Sequence, residues 1–124
     1  MIVIAIVAII ATFAYPSYQN HTTRARYADA KVMLLQIMQR EREYFTDNNT
    51  YTTNLTGELG YANAGSGKVM SEHELYLVSA STCDAGATAI SRCVELSAEP
   101  RSGQAGDPTF TYNSRNEKTP AVHW

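Results

Sequence analysis

Cys83 and Cys93 are the two cysteines of this 124-residue chain and lie ten positions apart. That spacing is too wide for a CxxC redox or zinc pair. Because they flank a short polar stretch, DAGATAISR, a structural disulfide is the favoured reading, with a pair of reactive thiols as the competing one. A bridge here would close a loop of about ten residues, stabilise by ~2–3 kcal/mol, and imply an oxidising compartment such as a periplasm or cell surface. His21, His73 and His123 are scattered and form no HExxH or similar ligand pattern. Glu72-His73-Glu74 could touch a metal only if three adjacent residues converged, and neighbours on a strand face opposite ways. A solvated charged turn is the simpler reading. Asp47-Asn48-Asn49 echoes only part of a calcium loop. GxSxG, P-loop and GxGxxG patterns are all missing from the sequence. These residues give no catalytic constellation, metal site or cofactor site, and the chain reads as a non-enzyme.

The charged residues lead elsewhere. Net charge is −2, so there is no broad basic footprint for nucleic acid. Lys68, Arg92, Arg101, Arg115 and Lys118 are interspersed with acids, which is thin support for a nucleic-acid partner. Arg40-Glu41-Arg42-Glu43 reads first as a solvated helix face with local ion pairs. Its functional alternative is contact between subunits, in which Arg24, Arg26, Arg40 and Glu43 are the candidate charges. Asn20, Asn48 and Asn54 each open an N-x-T sequence, read here as loop composition. Phe13, Tyr15, Tyr18 and Tyr27 form an aromatic series that serves packing between helices, with electron conduction as the alternative.

These charges must be held by elements, and the first is unusual. The opening run MIVIAIVAIIATFAY has no charge and one polar residue, Thr12. No Lys or Arg precedes it, so it lacks the positive start of a signal peptide. A transmembrane helix needs ~20 apolar residues, whereas residues 1–15 span about 22 Å at ~1.5 Å each. An Ile-, Val- and Ala-rich helix with no polar face must be buried in lipid or in other protein. The apolar positions expected to pack there are Ile2, Ile4, Ile6, Val7, Ile9, Ile10 and Phe13. Arg24, Arg26 and Lys31 follow the run and would place the C-terminal part in the cytoplasm, against the cysteine reading. A basic leader upstream of Met1, removed during maturation, would reconcile the two.

Beyond Pro16 the helical pattern continues, with apolar Tyr27, Ala30, Leu34, Ile37, Met38 and Phe45 at spacings of three and four. One helix is expected over 1–44, with a kink or local melting at 11–16, because Pro16 lacks a backbone donor and clashes with the preceding turn. Residues 46–68 are rich in Asn, Thr and Gly and read as a loop, pinned to the core by Leu55, Leu59 and Tyr61. Strands are expected at 75–81, 92–98 and 109–113, with a short fourth at 118–124. The fold class is α+β: a long N-terminal helix on a small antiparallel sheet of three to four strands. Residues 1–26 form the hydrophobic helix, and 27–124 the globular head.

The run MIVIAIVAIIATFAYPSYQNHTTRARYADAK resembles the start of type IV pilins, including the Pro16-Ser17-Tyr18 step and the basic, Ala-rich continuation. In that family a leader ending in glycine, a methylated first residue and an assembly glutamate come earlier, so no residue here takes those roles. EREYFTDNNTYTTNL, LYLVSAS and AEPRSGQAGDPTFTYNSRNEKTPAVHW further resemble the PilE-type subgroup. Many members of that subgroup carry cysteines after the Asp and before the final Trp. Here those places hold Pro108 or Thr109, and His123, so the pairing moves to Cys83–Cys93. The resemblance implies a structural subunit that sits in the inner membrane with a periplasmic head. The assembly machinery then transfers it into a helical surface filament of copies of itself, where the helix melts near the proline. Adhesion, twitching motility and DNA uptake are the roles it brings. A major subunit is the main expectation. The alternatives are a minor pilin that primes or decorates the filament, or a membrane-anchored binding module that does not polymerise.

Overall fold

A computed structural model describes residues 1–101 and 106–124; of 15–20 and 123 it describes the backbone alone. Helix α1 runs over Ile2–Asn48, about 70 Å at ~1.5 Å per residue. It is followed by β1 (Val69–Met70), β2 (Tyr76–Thr82), β3 (Val94–Pro100), β4 (Phe110–Asn113) and β5 (Lys118–Thr119). Short 3₁₀ turns occupy Asp84–Gly86 and Ala121–His123.

The helix passes without interruption through Pro16, so the local melting expected there is no part of this isolated chain's helix. It also runs four residues past the expected end, 48 against 44, and stops at Asn49. Asn49 adopts φ 60° and donates its N–H to the Phe45 carbonyl at 2.7 Å. Asparagine tolerates this left-handed conformation, a common way to end a helix. The core stripe is Ala30, Met33, Leu34, Ile37 and Met38, all buried, at the helical spacing that faces one side.

The five strands form an antiparallel meander in the order β1-β2-β3-β4-β5. Val78 opposes Ala98, and Leu96 opposes Tyr112, so alternate residues of three strands share the face toward α1. Tyr76, Val78, Val94, Leu96, Ala98, Phe110 and Tyr112 meet the helix stripe there. The sheet therefore has five strands against the three to four expected. The extra one, Val69–Met70, has only two residues, too few to show an alternating pattern. The expected 118–124 strand shortens to Lys118–Thr119, because Pro120 supplies no N–H to the ladder. Strands β3 and β4 begin at Val94 and Phe110 rather than at 92 and 109.

The connecting loop is fixed as expected: Leu55 and Leu59 are buried and Tyr61 packs against the core. Asp29, buried on α1, accepts hydrogen bonds from the Ser71 hydroxyl and from the His73 N–H (3.3 Å), tying the β1–β2 turn to the helix. The P-x-x-G-Q stretch at 100–104 falls mostly outside the described residues.

Candidate subunit and nucleic-acid interface

The first surface is the front of α1. Ile2, Ile4, Ile6, Val7, Ile9, Ile10 and Phe13 are each at least half exposed, from 51% at Ile6 to 78% at Phe13. Apolar side chains point to every side of this segment, so no orientation of the head could bury it. Among the described residues, no helix is long and apolar enough to cross a membrane.

Of the charges set aside for contacts between subunits, two are engaged within the chain. Arg26 donates through Nε and Nη2 to the two Asp107 carboxylate oxygens at 2.9 and 3.0 Å. This bidentate pair raises the Arg26 pKa and staples the segment before β4 to the helix. Arg40 lies over the Tyr61 ring, 5.7 Å from its centroid. Arg24 and Glu43 are exposed.

At the sheet's far end Cys83 and Cys93 form the disulfide, with Cα atoms 5.6 Å apart and both side chains buried. The next residue, Asp84, accepts from Arg115 Nη2 at 3.0 and 3.1 Å and from the Thr88 hydroxyl at 2.7 Å. Those bonds, Thr88's first, lower its pKa. The bridged β2–β3 loop is thereby clipped to the β4–β5 turn.

The second surface is the seam between α1 and the β5 edge. Trp124 folds back here, and its Nε1–H donates to the Thr119 carbonyl at 2.9 Å. Its ring sits 6.1 Å from Phe110 and 5.9 Å from Tyr112. Two ammonium groups flank it: Lys31 from the helix at 5.9 Å and Lys118 from the edge strand at 5.0 Å. Farther along, Arg42 donates to the Tyr112 hydroxyl (3.2 Å) and to Asn116 Oδ1 (3.4 Å). Among the described residues, Arg26, Lys68 and Arg115 have carboxylate partners, whereas Lys31, Arg42 and Lys118 have none, nor do Arg24, Arg40, Arg92 and Arg101 elsewhere. The seam thus gathers three uncompensated cations around aromatic rings. Of these three cations, only Lys118 is among the residues that the sequence offers toward nucleic acid. Lys31 and Trp124 are 93 positions apart, and no local pattern joins them.

Glu41 is the other unforeseen residue. It is fully buried on the core stripe, where its Oε2 accepts the Thr52 N–H at 3.0 Å. Burial raises its pKa to about 7. Its position, three after Met38 and four after Ile37, was the available signal.

A long helix, apolar and bare at its front and packed behind on an antiparallel meander, defines the type IV pilin class. Within that class, the family model described as "Type IV minor pilin ComP, DNA uptake sequence receptor" matches residues 16–111, and the chain belongs to that family. No curated protein and no solved structure matches the chain. The family is one of structural and binding proteins rather than enzymes, and it favours the minor pilin among the sequence readings over the major subunit. Tyr112, Lys118 and Trp124 lie beyond the matched residues.

Proposed function

We propose that this chain is a minor pilin that enters a type IV pilus through residues 1–26 and carries a DNA-holding head, 27–124, on the filament surface. The single observation behind this reading is membership of a family described as a DNA uptake sequence receptor. The uncompensated cations of the α1–β5 seam support it, since phosphate neutralisation supplies most sequence-independent DNA affinity.

Before assembly the apolar helix rests in the inner membrane with the head in the periplasm, where the Cys83–Cys93 bridge is stable. The assembly machinery then moves it among the helices of other pilins. Leaving lipid removes little apolar surface from water, so Ile2, Ile4, Ile6, Val7, Ile9, Ile10 and Phe13 act through close packing. Pro16, which leaves the Thr12 carbonyl without its usual helical donor, is where the helix opens to fit the filament. Arg24 and Glu43 remain available for charges on neighbouring subunits. Contacts that join unlike surfaces head to tail produce an open helical fibre.

Mass spectrometry of sheared pili tests the placement. A small fraction of this chain among a dominant different pilin supports it. A fibre made mainly of this chain returns the major-subunit reading, and its absence from sheared pili refutes incorporation.

A further inference from the structure

The geometry points to the Lys31–Trp124–Lys118 clamp as the seat of a DNA phosphate, with Arg42 holding a second phosphate farther along the same strand. This rests on the reading of the head as a DNA-binding unit and locates the contact on that head.

Two ammonium groups from different elements converge on one indole, at 5.9 and 5.0 Å from its centroid. The ring face attracts each cation, but it carries no net charge and cannot neutralise two. A phosphate beside the ring would supply the negative charge that the indole cannot. Lys31 is part-buried and Lys118 exposed, so the clamp has a fixed wall and an open one. The open side lies at the sheet edge, where β5 has no further strand beside it. Lys118 also stands over the Tyr112 ring at 5.5 Å, directly across the β4–β5 ladder, which fixes its stem.

Arg42 lies eleven residues beyond Lys31 on α1, about 16 Å at ~1.5 Å per residue. That is roughly five base-pair rises of ~3.4 Å. The seam therefore matches a short run of one strand's backbone. Contacts to phosphates set position and affinity without reading sequence. Any preference between DNA sequences must come from residues outside the clamp.

Trp124 is the chain's single tryptophan, so its fluorescence reports from within the clamp. The experiment titrates the full chain in detergent with a dye-labelled duplex, reading dye anisotropy and Trp124 emission together across a salt series. The expected result is a rise in anisotropy with a matching change in Trp124 emission. Lys31→Gln and Lys118→Gln should each flatten the slope of log K against log salt, and the two together by about 0.9, the one phosphate they share. Both should weaken all duplexes alike and leave the ranking between sequences unchanged. Lys68→Gln, at the opposite edge and paired with Glu99, serves as the control with an unchanged slope. Anisotropy that rises with silent Trp124 emission and unchanged slopes in both clamp variants overturns the clamp while leaving DNA binding intact. No anisotropy change in the wild-type chain overturns DNA binding itself, and the clamp with it.

Discussion

Glu41 Oε2 lies 3.0 Å from the Thr52 backbone nitrogen, and this bond is the buried tie between α1 and the long loop that follows it. The partner oxygen, Oε1, has no hydrogen-bond partner among the described residues. A carboxylate in this position is desolvated with only partial compensation, and its pKa rises to about 7. In the unfolded chain the same group titrates near ~4.3. The folded state therefore holds the proton more tightly, and Glu41's contribution to stability is full below about pH 4.3. It is lost as pH rises toward 7. Urea unfolding at pH 5 and pH 8 should show this decline, and Glu41→Gln, which keeps an acceptor for Thr52, should flatten it. Parallel pH profiles for the two proteins would remove Glu41 from the account.

The Arg26–Asp107 pair makes a separate prediction. Asp107 is only 9% exposed at its side chain, so Asp107→Ala leaves the guanidinium facing a vacated site. A cost of about 1.5–3 kcal/mol is expected, in the range for hydrogen bonds to charged groups. In a double-mutant cycle with Arg26→Gln, the second change should cost little once the first is made. Additive losses would show that the pair does not act as a unit.

Removing the bridge by Cys83→Ser with Cys93→Ser should destabilise the head by about 2–3 kcal/mol, from the freedom returned to a loop of about ten residues. The Asp84–Arg115 clip should keep part of the loop's order. Arg115→Gln is then expected to cost more in the bridge-free chain than in the wild type. Equal costs in the two backgrounds would separate the clip from the bridge.

The apolar front of α1 makes no contact that the head needs. Ile6→Asp should leave the head's thermal unfolding unchanged while excluding the chain from sheared pili. A charged side chain is costly in lipid and in a dry helix bundle alike. Recovery of Ile6→Asp chain in pili at wild-type abundance would mean the helix is not packed as proposed.

How much of this was readable from the residues alone depends on the range of the interaction involved. Spacing of three and four found Ala30, Leu34, Ile37 and Met38, because a helix stripe is a local property. A run of strand formers marked 75–81 and alternation marked 92–98 and 109–113, which put Cys83 and Cys93 across one hairpin turn. The two-residue β1 strand was not legible: it is held by Val69 and Met70 pairing with Val78 and Leu77, which no local pattern records. The same holds for Arg26–Asp107, 81 positions apart. The seam combines a helix lysine with the last residue of the chain, and only the fold brings them together. Glu41 is the instructive case. Its neighbours in sequence, Arg40, Arg42 and Glu43, made it look like part of a solvated face, yet its angular position put it in the core.

The most direct test of the central claim is uptake of labelled DNA by cells lacking this gene, with surface pili counted in the same cells. The account predicts that pili persist at near wild-type number while uptake falls sharply and returns on complementation. Loss of the pili would make this chain necessary for building the filament, as a major subunit or a priming minor pilin, and undiminished uptake by piliated mutant cells would contradict its role in holding DNA.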